Sequence, residues 1–120
     1  MKYLLSILSI LLLVLSANIG FPQNISEKEW KKRVIGKTIS GHNLYMKFNK
    51  NGTFNGTWAS TGQVNQVRGN WSYTKARGYC RSLTIILGDG RIRERPDECQ
   101  KFEFLGNEKV KIKNNIYTFK

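Results

Sequence analysis

The chain is poor in the residues that carry most enzyme chemistry. It has one histidine, His42, and two cysteines, Cys80 and Cys99. No acidic residue occurs from Trp30 through Gly88. Metal sites draw on clustered His, Cys and carboxylate, and no C-x-x-C, H-x-x-x-H or H-E-x-x-H spacing is present. No G-x-S-x-G elbow marks a nucleophile. His42 sits between Gly41 and Asn43 and reads as a turn residue. Asp89, Glu94, Asp97 and Glu98 are interleaved with Arg91, Arg93 and Arg95, a pattern of solvated ion pairs. These shortages argue against an enzyme and imply no metal and no cofactor.

Long apolar runs are also missing, except at the start. Leu4 to Leu15 is apolar but for Ser6 and Ser9, with Lys2 before it and Ser16, Ala17, Asn18 and Gly20 after it. A basic start, an apolar stretch and a small-residue exit make a secretory signal peptide. The reading is a signal over residues 1–17, with cleavage falling within 16–20. The run is shorter than the ~20 residues that cross a bilayer, which argues against an anchor. No second such run follows, so the mature chain is expected to carry no integral membrane span. A secreted or periplasmic location follows. Exported chains meet oxidising conditions, so the even cysteine count points to a Cys80–Cys99 disulfide.

What the chain has in plenty is positive charge: 20 Lys+Arg against 8 Asp+Glu, a net +12 over 120 residues. Removing Lys2 with the signal lowers this by one. At 40% apolar and 12% aromatic, the composition is that of a folded domain and not of a disordered tail. The length leaves room for one domain, expected over residues 26–120, with a flexible lead-in at 18–25.

Ser26-Glu27-Lys28-Glu29 is a capping box, with Ser26 capping and Glu29 reaching back to its amide. Trp30, Val34 and Ile35 then share one side of a short helix ending at Gly36. After Gly36 the apolar period changes to two. Leu44, Met46 and Phe48 share a face, then Phe54, Gly56 and Trp58, then Val67, Gly69, Trp71 and Tyr73. Tyr79, Leu83, Ile85 and Leu87 follow, then Phe102 and Phe104, then Val110 and Ile112. Asn51-Gly52 and Gly88-Asp89-Gly90 mark turns. Ser60–Asn65 reads as a polar loop, and Pro96-Asp97 as the end of a strand over Arg91–Arg95. The expected fold is mainly β: a small antiparallel meander barrel of about eight short strands with one N-terminal helix. Parity puts Cys80 and Cys99 off the inner face, so their bridge is expected outside the sheet.

Two surfaces offer binding chemistry. Phe54, Trp58, Trp71 and Phe102 are inward aromatics that would line a ligand pocket at a barrel mouth, or else fill the core. Arg91, Arg93 and Arg95, with Lys109, Lys111 and Lys113, would form an anion-binding field if they met on one face.

Ile35-Gly36-Lys37-Thr38-Ile39-Ser40-Gly41 after a short helix, Asn51 to Gly56, Gly69-Asn70-Trp71-Ser72, Tyr79-Cys80-Arg81 and Cys99-Gln100 follow one another in a rhythm of turns and strands. Over residues 26–119 this resembles small exported bacterial β-barrel proteins of lipocalin-like type, many without an assigned function. The resemblance implies a helix-flanked antiparallel barrel and a two-cysteine bridge. It brings no active residues to carry over. Lipocalins place G-x-W on the first strand, whereas here Gly56-Thr57-Trp58 and Gly69-Asn70-Trp71 fall later. The expected function is a non-catalytic exported barrel that binds a small apolar ligand or a partner protein. The alternative is a cationic surface that binds polyanions: lipid phosphates, anionic glycans or nucleic acid.

Overall fold

The computed structural model describes residues 20–120. The signal peptide reading, and the start of the lead-in, lie outside the described residues. Helix α1 (Glu27–Val34) is followed by nine strands: β1 (Thr38–Gly41), β2 (Leu44–Phe48), β3 (Thr53–Ser60), β4 (Gln63–Thr74), β5 (Gly78–Ile86), β6 (Ile92–Gln100), β7 (Phe102–Gly106), β8 (Lys109–Ile112) and β9 (Asn115–Phe119). They form one antiparallel sheet in the order β6-β5-β4-β3-β2-β1-β9-β8-β7, curled into a half-barrel. The mainly β, barrel-like expectation holds, with nine strands in place of eight.

The break between two of these strands falls at one residue, Lys101, and not at Pro96-Asp97. β6 and β7 lie at opposite ends of the strand order, yet only Lys101 separates them in the chain. The first part of this stretch pairs with β5 and the second with β8. So the two borders of the sheet converge at Lys101, whose carbonyl accepts from the Lys113 amide at 2.8 Å. Glu98 clasps the same gap, meeting Arg81 of β5 at 3.2 Å and Lys113 at 3.1 Å.

β6 also runs straight through Pro96, where a strand end was expected. Proline lacks a ladder donor, and β6 has only one neighbour, so the missing N–H is tolerated. The register shifts beside it: Arg81 faces Glu98 while Leu83 faces Arg95. Pro96 and Asp97 thus oppose Ser82 alone, a bulge. The bulge flips parity, so Arg93 and Arg95 share the inner face with Glu98 and Gln100. Cys99 turns outward, directly opposite Cys80, and the two are joined by a disulfide.

Helix α1 plugs one end. Ser26 caps it as expected, accepting from the Glu29 amide. The Glu29 carboxylate turns instead to Arg33 at 3.3 Å. Trp30 and Val34 are fully buried. Trp30 packs against Phe48, Trp71, Tyr73, Tyr79 and Phe102. The lead-in is pinned beside this end: Phe21 donates to the Arg77 carbonyl, Gln23 to the Lys75 carbonyl, and Tyr73 Oη donates to the Ile25 carbonyl at 2.6 Å.

The predicted loop over Ser60–Asn65 is instead a tight hairpin, with Ser60 paired to Gln63 around Thr61-Gly62. Asn65 then points inward and is fully buried. Its amide donates to Ser60 Oγ and accepts from the Gly88 amide, tying two turns together.

A candidate ligand site at the open end

Opposite the plug, the half-barrel holds a cavity of about 300 Å³. Leu44, Trp58, Val67, Leu83 and Ile85 line it, with His42, Arg95, Asn115 and Tyr117. Register explains the grouping. Leu44 faces Trp58, Val67 faces Ile85, and Leu83 faces Arg95. Each apolar member lies on the inner face of its strand. Leu44 precedes the plug residue Phe48 by four positions, and Val67 precedes Trp71 by four. At ~3.3 Å per strand residue, that sets the cavity about 13 Å from the plug layer.

Two glycines shape this end. A Cβ on Gly56 would run into the Tyr45 carbonyl oxygen, and one on Gly69 into the Ser82 carbonyl oxygen. Neither position admits a side chain, so β2 and β5 fold close over them and the sheet curls. His42 and Asn43 take positive φ in the β1–β2 turn. This brings the His42 imidazole edge-on to Tyr117, 5.3 Å between ring centres.

Of the four aromatics expected to face a ligand, only Trp58 lines this cavity. Trp71 and Phe102 belong to the plug layer against Trp30. Phe54 is buried against Phe48 and Tyr79. The helix supplies Trp30 to the space they enclose, so these three are buried there, although Phe102 also borders the cleft beside β7 and Trp71 one beside the helix. The cavity residues absent from the sequence expectation, Leu44, Val67, Leu83 and Ile85, carry no signal that separates them from ordinary core.

The six expected anion-binding residues do not gather. Arg93 and Arg95 lie on the inner face of β6, in register with Ile85 and Leu83. Lys109 and Lys111 flank the buried Val110 and so point outward from β8. Arg91 is held by Asp89 at 2.7 Å, and Lys113 by Glu98.

All eight carboxylates are engaged. Seven form ion pairs: Glu27, Glu29, Asp89, Asp97, Glu98, Glu103 and Glu108. The eighth, Glu94, accepts from Thr84 Oγ1 at 2.9 Å. The Asp89 carboxyl is held below its usual range by the Arg91 amide, and the Glu98 carboxyl by its Lys113 hydrogen bond. None of these acids lies in an ion pair with Arg95.

A larger cleft of about 530 Å³ lies between the lead-in and β7, lined by Phe21, Pro22, Ile25, Phe102 and Phe104, with Arg33 and Lys101 beside them. Its cations are already committed. Arg33 pairs with Glu29 and sits over the Phe104 ring at 5.3 Å, and Lys101 pairs with Glu103 at 2.9 Å. The open-end cavity is therefore the better candidate, because it combines an apolar floor with an uncommitted cation. Among the described residues no helix is long and apolar enough to cross a membrane. No family model, no curated protein and no solved structure matches the chain.

Proposed function

We propose that this protein is a non-catalytic exported binding module whose open end takes a small apolar ligand. The observation that carries the reading is the apolar cavity left at one end while Trp30 fills the other. A chain this small needs its core, and the half-buried Leu44, Trp58 and Leu83, open to the cavity above the buried Val67 and Ile85, leave apolar surface for an occupant. The disulfide and the signal-like first segment support export. The engaged carboxylates, and a lone histidine set against a tyrosine ring, support a role without catalysis. The scatter of the cations disfavours the polyanion reading.

Titration with N-phenyl-1-naphthylamine, a neutral apolar fluorophore, tests this. Saturable one-site binding is expected, and Leu83→Trp, which fills the cavity, should weaken it at least tenfold. No saturable binding, or binding indifferent to Leu83→Trp, would overturn the reading. Native mass spectrometry of protein from its own host would show a carried ligand as mass that leaves on denaturation.

A further inference from the structure

Resting on that reading, we infer that the cavity is built for an anionic amphiphile: an apolar body of about ten non-hydrogen atoms ending in a carboxylate held by Arg95.

Arg95 is the point of departure. Its place opposite Leu83 on the inner face of β6 follows from the Pro96-Asp97 bulge. It joins Leu83 and Ile85 in lining the cavity. Cations on a sheet edge usually protect it by pointing to solvent. This one is solvent-exposed too, but it borders the cavity's apolar wall opposite Leu83. It is also without a counter-ion. Residues 1–19 contain no Asp or Glu, and each of the eight acids is engaged elsewhere. A guanidinium beside apolar surface, with its fork free, suits a carboxylate that brings its own apolar body.

Size sets the rest. At roughly the ~30 Å³ that a water occupies in the liquid, 300 Å³ holds on the order of ten heavy atoms. That matches a medium-chain acyl body, and a larger ligand such as the naphthylamine probe would extend out through the open mouth. Asn115 and Tyr117 of β9 complete the lining with groups able to hydrogen-bond a carboxylate oxygen. The site thus reads from Trp58 and Val67 at the apolar floor to Arg95 at the polar rim.

Displacement of the naphthylamine probe by monomeric decanoate, 1-decanol and decyltrimethylammonium tests the inference. Decanoate should bind about tenfold tighter than decanol, and the ammonium compound weakest, as a charge-assisted hydrogen bond in partly exposed surroundings implies. Arg95→Gln should erase the preference for decanoate and leave decanol within about twofold. Arg95→Lys should keep part of the preference, and Arg93→Gln all of it. Equal binding of decanoate and decanol by the unaltered protein would overturn the inference and leave the apolar-ligand reading standing. A preference that survives Arg95→Gln would overturn it too. Probe binding with no displacement by any chain would also refute it, and absence of probe binding would remove the underlying reading with it. Binding to phosphatidylglycerol vesicles but not to monomeric decanoate would replace it with a membrane surface site.

Discussion

Trp30 lies flat on Tyr73, their rings 4.6 Å apart and only 6° from parallel. This contact joins the helix to the sheet, and four more aromatic rings close around the indole. Trp30→Ala should cost about 3–5 kcal/mol, the usual range for emptying a buried aromatic site. Trp30→Phe should cost distinctly less, because the indole N–H is buried without a hydrogen-bond partner and phenylalanine removes that orphan. Urea unfolding of both variants decides. A near-neutral Trp30→Ala would mean that the helix does not plug the barrel.

The Cys80–Cys99 bridge fastens a border strand that has a single neighbour. It closes a separation of 19 residues. In the loop-entropy account a bridge of this span is worth on the order of 3 kcal/mol. The Cys80→Ser/Cys99→Ser variant should lose about that much by denaturant unfolding. Hydrogen exchange should quicken first over residues 92–100, ahead of β3 and β4. Uniform acceleration across the sheet would show that the bridge does not act locally on β6.

Glu98 spans the gap where the sheet borders converge, and its folded-state pKa is lowered, chiefly by the Lys113 hydrogen bond. A lowered pKa stabilises the fold when the carboxylate is charged. That contribution is complete above the unfolded value of about 4.3 and fades as the pH falls through the lower folded value. The side chain is 42% exposed, so solvent screens the gain and keeps it modest. Melting temperatures of the protein and of Glu98→Gln should differ above about pH 5 and converge in acid. Parallel curves at all pH would refute the clasp.

Gly56→Ala and Gly69→Ala should each destabilise by about 1–3 kcal/mol or more, as overpacking does, since the added carbon meets the backbone of the next strand. Gly62→Ala is the control for crowding, because nothing lies within 4 Å of its would-be Cβ and only its φ of +75° resists. Thermal melts compare the three. If Gly56→Ala and Gly69→Ala cost no more than Gly62→Ala, steric closeness is not what those positions serve.

Much of this was legible before the fold was known. Alternation placed Leu44, Met46 and Phe48, then Phe54 and Trp58, on the inner face, because each of those strands has one buried side. The helix cap at Ser26 and the outward disulfide were legible for similarly local reasons. What escaped was governed by neighbours. Pro96 reads as a terminator, and only a one-sided strand lets the chain pass through it. The bulge that turns Arg95 inward depends on what Ser82 faces, which no local pattern records. Trp71 and Phe102 read as pocket walls because nothing in their own strands announces that Trp30 arrives from a helix to fill the space.

The pairing of β1 with β9 sets an order of events. Ile39 faces Phe119 and Ser40 faces Thr118, which joins the first and last strands of the sheet. Synthesis delivers the amino-terminal end first, so β1 through β6 can assemble as a meander while β1 still lacks its second neighbour. The apolar inner faces of Ile39 and Met46 stay open along that seam until β9 emerges. A delay before β9 is made would therefore leave the chain exposed at its stickiest border.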